Sequence, residues 1–331
     1  MMARVSVIVL NWNGKHFLQE CLGSLRQQTF KEFDTILVDN GSTDGSVQYI
    51  ERRFPEVKVI ALPNNIGFAS GNNVGIQASD TEYVALLNND TKADPGWLEA
   101  LTKALEEHPQ VGFCASKILL HDPPDVIDSA GDLFYTCGVG EKRGRAEKDR
   151  GQFARQKPVF GACGAAALYR RAMLDDIGVF DEDFFAYAED VDLSFRAQLA
   201  GYQCLFVPEA VVYHHFQGTS HRLPDEALYW SRRNALYALV KNMPAGLLYR
   251  RLPYVLSYYL AADTAYIVQG KWKSILRARL DNIRTFKKTL AKRRSIQARR
   301  RVSDDYINGA MISGRGRQMA AKWLRRLTNR R

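Results

Sequence analysis

Cysteine is scarce in this chain and follows no recognisable pattern. The 331 residues include five cysteines, an odd number, with no CxxC pair and no spacing typical of a zinc site. They are widely separated, at Cys21, Cys114, Cys137, Cys163 and Cys204. This argues against a disulfide framework and predicts free thiols in a reducing cytoplasm.

Export and membrane-spanning signals are also missing. The first residues lead straight into VSVIVL, with no basic stretch and no small-residue cleavage site, so we expect no secretory signal. The apolar stretch 247–268 is interrupted by Arg250, Arg251, Pro253 and Asp263, which makes it a poor spanning helix. With 46% hydrophobic and 11% aromatic residues, the chain instead has the composition of a large globular protein.

Two nucleotide-binding fingerprints are absent as well. The sequence has neither the GxGxxG pattern of dinucleotide-binding enzymes nor a P-loop lysine motif, which argues against a dehydrogenase and a P-loop ATPase. A different glycine-rich stretch, NNIGFASGNNVG at 64–75, comes before a predicted helix. Its glycines permit positive φ and close backbone approach, and a helix amino terminus favours phosphate.

Charge is divided unevenly along the chain. Residues 1–221 hold 20 Lys and Arg against 30 Asp and Glu, a net charge of −10, whereas residues 222–331 hold 26 against 6, a net charge of +20. We therefore expect the two parts to face different partners.

Strands and helices alternate over the first 116 residues. Apolar runs predict strands at 5–10, 33–38, 57–62, 83–87 and 111–116, and helical spacing predicts helices between them. This alternation indicates a parallel, doubly wound α/β sheet. The fourth strand leads directly into Asn88-Asn89-Asp90, and ligands of such sheets bind beyond the carboxyl ends of the strands.

Polar clusters follow the other strands too, and each has a structural alternative. Asp39 is the first polar residue after its strand and is predicted to contact ligand, although a helix cap is the other interpretation. Capping is the favoured role for Asp44. All the clusters are expected along one rim of the sheet.

The second half of the sequence is less regular. Residues 141–158 are charged and nearly free of aliphatic side chains, which predicts a mobile surface loop. Residues 159–169 are predicted to form a strand whose small residues leave room beside it for the acceptor or sugar, at Gly161, Ala162, Cys163 and Gly164. A helix is expected from about Ala188, and strands at 204–207 and 210–213 precede the His214-His215 pair.

Seven motifs in order resemble the family 2 glycosyltransferases of the GT-A fold, and within them the rhamnosyltransferase-like enzymes of surface polysaccharide assembly. They are VSVIVLNWNG, VDNGSTDGS, NNIGFASGNNVGI, LLNNDT, GACGAAALYRR, FDEDFFAYAEDVDLSFRAQLAGY and HHFQGTS. The resemblance implies a catalytic domain at 1–221, with a donor half at about 1–117 and an acceptor half at about 118–221. Residues 222–331 are expected to form a helical appendage.

The resemblance also assigns residues to the site. It implies donor nucleotide contacts from Asn11, Asn13, Asp39, Asn64, Gly67, Gly71, Asn72, Asn88 and Asn89. Asp90 takes the place of the last acid of the metal-binding DxD motif, of which only this carboxylate remains. His215 matches the histidine that can complete the metal site, with His214 as the alternative because the register is ambiguous by one residue.

The chemistry of transfer predicts the remaining roles. The leaving nucleoside diphosphate needs a cation, Mg²⁺ or Mn²⁺, to offset its charge. The attacking hydroxyl needs a base, for which we select Asp190, with Glu189 orienting or tuning it and with Asp192 and Arg196 supporting the helix. A single displacement inverts the anomeric centre. The expected donor is a dTDP- or UDP-linked sugar, with rhamnose suggested by the resemblance, and the expected acceptor is a glycan or lipid-linked glycan.

The basic tail is predicted to lie on the anionic inner face of the cytoplasmic membrane. Residues 271–301 show one apolar face surrounded by Lys and Arg, as in an interfacial helix. Alternatively, these helices pack on the catalytic domain or on a second copy of the chain. A non-catalytic nucleotide-sugar or nucleic-acid binding protein is the competing function, but no nucleic-acid module is recognisable, so we expect no nucleic-acid partner.

Overall fold

The computed structural model describes residues 3–215 and 224–313. Its strands are β1 (Val5–Asn11), β2 (Phe33–Asp39), β3 (Lys58–Ala61), β4 (Tyr83–Asn88), β5 (Thr91–Ala93), β6 (Val111–Leu120), β7 (Ile127–Ala130), β8 (Asp132–Tyr135), β9 (Val139–Lys142), β10 (Lys157–Val159), β11 (Ala166–Arg170) and β12 (Gln203–His214). Its helices are α1 (Lys15–Arg26), α2 (Ser46–Arg53), α3 (Phe68–Gln77), α4 (Trp97–Glu107), α5 (Arg171–Ile177), α6 (Glu189–Leu199), α7 (Pro224–Asn242), α8 (Ala245–Val268), α9 (Trp272–Arg284), α10 (Phe286–Ala298) and α11 (Asp304–Ala310).

The central sheet runs in the order β10-β12-β6-β11-β4-β1-β2-β3. Strands β4, β1, β2 and β3 are parallel to one another, and β6 is parallel to β12. Strand β11 is antiparallel to both of its neighbours and joins the two parallel groups. The predicted mostly parallel α/β sheet is therefore confirmed.

Both faces of the sheet are covered by helices. Along β1, Val7 and Val9 pack in one core with Leu101 of α4, whereas Ile8 packs in the opposite core with Ile76 of α3. Because successive strand residues point to opposite faces, a strand covered on both sides has to be apolar throughout. This explains the unbroken apolar runs in the sequence and confirms the doubly wound arrangement.

The predicted strand at 159–169 is wrong, because the segment forms the end of β10, a turn and β11. The turn lies directly against α6: a Cβ placed on Gly161 would be 2.4 Å from Ser194 Oγ. Small residues therefore serve close packing at this point. The strands expected at 204–207 and 210–213 are one strand, β12, with a register shift between Val207 and Val211.

The charged segment 141–158, expected to be a loop, contains some regular structure. It includes the end of β9 and the start of β10. Its Lys142 pairs with the buried Asp128 at 2.7 Å. A charged side chain in a sequence without aliphatics can thus be an internal partner rather than a solvated one.

The tail helices pack against the acceptor half. Phe160 and Phe195 share a hydrophobic core with Leu239 of α7, Tyr259 of α8 and Met243 between these two helices. The single helix expected at 271–301 is two helices, α9 and α10, separated at Thr285, and both contact α7. Packing of the tail helices on the catalytic part is one of the alternatives that the sequence left open. The division into two domains stays a prediction.

Much of the tail's positive charge is used inside the molecule. Lys292 Nζ lies 2.5 Å from Asp181 and 2.6 Å from Asp183, and Arg301 lies 2.7 Å from Asp176. The acidic and basic parts of the sequence are thus partners of each other. Over residues 3–215 and 224–313, no helix has the length and apolarity needed to cross a membrane.

Candidate active site

Polar side chains at the carboxyl ends of β1, β2 and β4 form one hydrogen-bonded network. Asn11 Nδ2 donates to Asp39 Oδ1 over 2.9 Å, and Asn11 Oδ1 accepts from Asn89 Nδ2 over 2.7 Å. Asp39 Oδ2 accepts from the backbone N–H of Ser42 over 2.9 Å. Asn11, Asp39 and Asn89 are buried, so in this structure they hold the loops of the rim. Their contacts to a donor stay a prediction.

Asn13 borders an open depression beside this network. Its Oδ1 accepts from the backbone N–H of Thr43 over 2.8 Å. The depression measures about 780 Å³ and is lined by Asn13, Lys15, His16, Gln19, Thr43, Asp44 and Tyr49. Asp44 itself accepts from the backbone N–H groups of Lys15 and Ser46, which agrees with the capping role favoured for it. The volume falls within the range of small-molecule sites, and nucleotide binding there stays a prediction.

The third loop of the rim is held by a residue that the sequence analysis missed, Asn40. Its Nδ2 donates to the carbonyl of Gly67 and its Oδ1 accepts from the N–H of Ile66. Gly67 has a φ of 91°, and a Cβ there would be 2.6 Å from Phe185. Asn40 follows Asp39 directly, so its place at a strand end could have been recognised.

The other predicted residues of this loop differ in exposure. Asn64 is exposed. Asn72 is buried, and its Nδ2 donates to the carbonyl of Phe68 within α3. Gly71 faces the side chain of Leu10 and lets α3 approach β1. Of the three, Asn64 alone is open to a ligand in this conformation.

Asp90 lies beyond β4 and faces His214 at the end of β12. The carboxylate is 6% exposed. His214 Nε2 lies 3.2 Å from Asp90 Oδ1 without hydrogen-bond alignment, and this oxygen has no hydrogen-bond donor among the residues that the structure describes. On its other side, His214 Nδ1 is 3.0 Å from Asp128 Oδ2. A buried carboxylate oxygen without a donor is a strong candidate cation ligand.

The charges around His214 shift its protonation. Burial lowers the pKa of His214, but hydrogen bonding to Asp128 and contact with Asp90 outweigh burial and raise the pKa to about 9. Burial raises the pKa of Asp128, yet His214 and Lys142 hold it well below its usual value. Asp128 and Lys142 lie where the sequence showed no periodicity, so no signal identified them.

His215 does not face Asp90. Its Nε2 lies 2.7 Å from Glu20 Oε2 on α1, and only its backbone N–H reaches Asp90, donating to the carbonyl over 2.9 Å. The structure thus brings the ring of the alternative histidine, His214, rather than that of His215, to the Asp90 carboxylate, and the choice of metal ligand stays a prediction. Successive strand residues point to opposite sides, so a register error of one residue exchanges the two rings. The backbone carbonyl of Asn88 accepts a hydrogen bond from Thr91 Oγ1.

Asp190 lies in the first turn of α6 with both carboxylate oxygens hydrogen-bonded to the backbone. Oδ2 accepts from the N–H of Gly164 over 3.0 Å and Oδ1 from the N–H of Val191 over 2.8 Å. The carbonyl next to Gly164, on Ala165, accepts from the N–H of Asn88 over 2.9 Å. This chain of contacts ties Asp190 to the end of β4, two residues before Asp90.

Neighbouring acids have very different surroundings from Asp190. Glu189 is buried, its Oε2 has no hydrogen-bond partner in the described structure, and burial together with the charge of Asp190 raises its pKa well above the usual value. Asp132, which the sequence analysis missed, has its pKa raised to about 8 by burial and by Asp190. Of these three acids, Asp190 is the one that is partly exposed.

The predicted acceptor turn contributes one residue to this group. Gly161, Ala162 and Cys163 are buried, and burial raises the pKa of the Cys163 thiol. Gly164 is the member that contacts Asp190. Direct contact of the other three with an acceptor stays a prediction that this packing does not favour.

Polar contacts with α7 hold helix α6 in place. The predicted pair of Asp192 and Arg196 is confirmed at 3.0 Å. Lys241 of α7 lies 2.9 Å from Asp192 and also pairs with Asp181, and Asn242 Nδ2 donates to Asp192 over 2.7 Å. Just before the helix, Phe185, Tyr187 and Ala188 have positive φ values between 60° and 71°. Such strained backbone persists only where surrounding structure fixes it.

Similar proteins share the sequence over most of the chain. The family model described as glycosyl transferase family 2 matches residues 6–178. An N-acetylglucosaminyl-diphospho-decaprenol L-rhamnosyltransferase from Mycobacterium tuberculosis is 30% identical over 245 residues, covering 67% of this chain and 79% of the relative. A glycosyltransferase from Haemophilus influenzae is 25% identical over 252 residues, covering 72% of this chain and 75% of the relative.

Solved structures agree on the fold. A mannosyltransferase from Pyrobaculum calidifontis, in complex with GDP-Man and Mn²⁺, matches with a TM-score of 0.54 at 17% identity, covering 90% of this chain and 85% of that one. TarS from S. aureus matches with a TM-score of 0.54 at 19% identity, and the alignment spans 80% of this chain but 43% of that one. The resemblance of the seven motifs is confirmed: the chain belongs to glycosyl transferase family 2 and has the GT-A fold.

Proposed function

We propose that this glycosyltransferase moves a sugar, with rhamnose as the first candidate, from a dTDP- or UDP-linked donor to a hydroxyl of a glycan or lipid-linked glycan acceptor, with inversion. The observation that carries the proposal is the link from Asp190 through Gly164 and Ala165 to the end of β4, beside Asp90. The similarity to the mycobacterial rhamnosyltransferase, whose name specifies a lipid diphosphate acceptor, supports this choice of substrates.

Asp90 and His214 would hold the divalent cation together with the donor diphosphate. The buried Oδ1 of Asp90 fits this role. The adjacent Nε2 of His214 would join it only after losing its proton, a loss that the raised pKa of His214 opposes and that a bound cation would favour. A bound cation offsets the negative charge that develops on the leaving diphosphate. An imidazole in the ligand set favours Mn²⁺ over Mg²⁺, since Mg²⁺ strongly prefers oxygen ligands. The Mn²⁺ of the mannosyltransferase complex supports this choice.

Asp190 acts as the base in this proposal. The N–H groups of Gly164 and Val191 fix its plane, and each carboxylate oxygen keeps a lone pair for the acceptor hydroxyl. As the hydroxyl oxygen bonds to the anomeric carbon, the bond to the phosphate oxygen breaks and the hydroxyl proton passes to Asp190. Burial and the nearby carboxylate of Asp190 raise the pKa values of Glu189 and Asp132, which favours the uncharged forms of these two neighbours.

A donor screen tests the proposal. The purified chain, supplied with Mn²⁺ and a polyprenyl-diphosphate-linked GlcNAc acceptor, is expected to release dTDP from dTDP-rhamnose faster than UDP from UDP-hexoses. Release should depend on the acceptor. Retention on phosphocellulose with no nucleoside diphosphate released from any donor would instead support the non-catalytic binding protein.

We further propose that the chain works at an anionic membrane surface, which it contacts through the outer faces of α8 and α9. Large apolar side chains are exposed there at helical spacing: Tyr249, Leu252, Leu256, Leu260, Ile267, Val268, Trp272, Leu276, Leu280 and Ile283. Exposed basic side chains on α9, such as Lys273 and Arg284, accompany them. Apolar residues beside Lys and Arg are typical of interfacial helices. Basic groups of the tail such as Arg284 and Lys292 pair with acids of the chain, so we expect insertion of the apolar side chains to contribute to membrane binding beside the positive charge.

Vesicle co-sedimentation tests whether the outer faces of α8 and α9 bind membranes. We expect the chain to bind phosphatidylglycerol vesicles more than phosphatidylcholine vesicles, with a fraction that resists high salt. The double variant Leu256→Glu/Leu260→Glu should lose that fraction, because both side chains are exposed on one line of α8. Gln110→Glu, at an exposed turn of the catalytic part, is the control for added negative charge. Equal binding of the double variant and the wild type would rule out this surface.

A further inference from the structure

Glu20, His121 and His215 form a compact group outside the proposed transfer site. Glu20 lies on α1, His121 directly follows β6 and His215 directly follows β12. His121 Nε2 is 3.1 Å from Glu20 Oε1, and His215 Nε2 is 2.7 Å from Glu20 Oε2. The Nε2 atoms of both imidazoles therefore lie against the carboxylate of Glu20.

The spacing of the side chains in this group allows a transition-metal site. The two rings are stacked, with centroids 3.7 Å apart and planes at 19°. The candidate ligand atoms of all three residues lie within 4.8 Å of one another. Tetrahedral zinc, with bonds of about 2.0–2.1 Å, separates its ligand atoms by roughly 3.3 Å. Small side-chain rotations would therefore accommodate an ion between the carboxylate and the two rings.

The backbone that presents the histidines is fixed by the sheet. The N–H of His121 donates to the carbonyl of His214 over 2.8 Å, and the N–H of His215 donates to the carbonyl of Asp90 over 2.9 Å. The ring of Phe17 lies 5.1 Å from that of His215. A site built on strand ends that are already hydrogen-bonded needs little ordering when an ion binds.

We propose that Glu20, His121 and His215 bind one divalent transition-metal cation of the zinc class, with a fourth position open to water or a ligand. Imidazole and carboxylate are ligands that zinc accepts, and three protein ligands leave one position free. The cation would join α1 to the ends of β6 and β12. The cation would thereby stabilise the end of β12, which carries His214. It would lie at a different position from the cation proposed at Asp90 and His214.

A positively charged side chain near Glu20 is expected to lower the affinity of this group for a metal ion without occupying the proposed metal position. Lys92 Nζ lies 4.0 Å from Glu20 Oε1. Without metal, Glu20 is balanced by the two histidines: burial raises its pKa, but their hydrogen bonds outweigh burial and lower it. The alternative to a metal site is thus a simple group of ion pairs, and the experiment has to separate the two.

Metal binding by the full chain provides the test. The Asp90→Asn variant removes the carboxylate of the proposed transfer site, so the remaining binding reports on this group. After chelator treatment, Asp90→Asn is expected to bind one Zn²⁺ or Co²⁺ per chain, with Co²⁺ giving the visible absorbance of a tetrahedral site. Zn²⁺ should also raise its Tm.

Adding either His121→Ala or Glu20→Gln to Asp90→Asn should weaken binding by about 100-fold or more, because even groups that only orient a ligand contribute about 10- to 100-fold. Adding His16→Ala, which removes an exposed histidine from the same helix α1, should leave one ion bound. The circular dichroism of each variant checks folding. Absence of bound metal in Asp90→Asn, or equal binding after folded His121→Ala and Glu20→Gln changes, would overturn the proposal.

Discussion

Replacing Asp190 by Asn is expected to lower turnover by about 10² to 10⁴-fold, the range for loss of a general base. Donor affinity should change little, because the carboxylate is held by Gly164 and Val191, outside the Asn11–Asp39 network. The amide keeps the size of the side chain but cannot accept the proton of the acceptor hydroxyl. Steady-state rates of nucleoside diphosphate release, with donor affinity from calorimetry, measure the two effects separately.

Glu182→Gln is the matched control for Asp190→Asn. Glu182 is an exposed acid in the turn that precedes α6, so its loss removes the same charge without the proposed chemistry. Asp192 cannot take over as base, since it is buried between Arg196 and Lys241. Near wild-type turnover in Asp190→Asn would transfer the role to Glu189 or Asp132.

Replacing Asp90 by Ala is expected to abolish cation-dependent turnover, a loss of about 10³-fold or more. Stabilising the charge of a leaving group is worth several kcal/mol, and each 1.36 kcal/mol is a factor of ten in rate. His214→Ala should have a similar effect, because His214 Nε2 is the group that faces Asp90 Oδ1. Rates are measured after EDTA treatment and after Mn²⁺ is restored.

His215→Ala provides the comparison, because its ring contacts Glu20 and not Asp90. Its turnover with saturating Mn²⁺ should stay within a few-fold of the wild type. Full activity of the wild-type enzyme in EDTA would contradict a cation at Asp90, and cationic side chains would then have to neutralise the leaving group. A loss in His215→Ala as large as in His214→Ala would restore the original choice of His215.

The meeting of the strand-end residues could be predicted from the sequence, because parallel strands impose a simple rule. Unbroken apolar runs end where the sheet ends, so Asn11, Asp39 and Asn89 had to meet at one rim. The GT-A fold and the family followed from motifs placed at these ends. The loop contacts were harder to predict, because Asn40 and Ser42 form hydrogen bonds with segments that are distant in sequence.

The acceptor side was less predictable for physical reasons. Asp128 and Lys142 are polar residues buried as partners, and a single sequence does not reveal which buried charges pair. The choice between His214 and His215 depended on a one-residue register. The membrane interpretation of the tail assigned all of its basic charge to lipid, whereas Lys292 and Arg301 neutralise acids of the catalytic part.

The contact between Lys241 and Asp192 also determines how the enzyme can be engineered. Lys241 is 2% exposed and Asp192 is fully buried, so removing α7 would leave Asp192 with Arg196 as its one remaining cationic partner among the contacts described above. Breaking one side of such a buried pair costs about 3–5 kcal/mol, a large part of the stability of most proteins. Chimeras that exchange the carboxyl-terminal helices between relatives therefore have to exchange the acids of 181–192 with them, because charged side chains of the two stretches pair with one another.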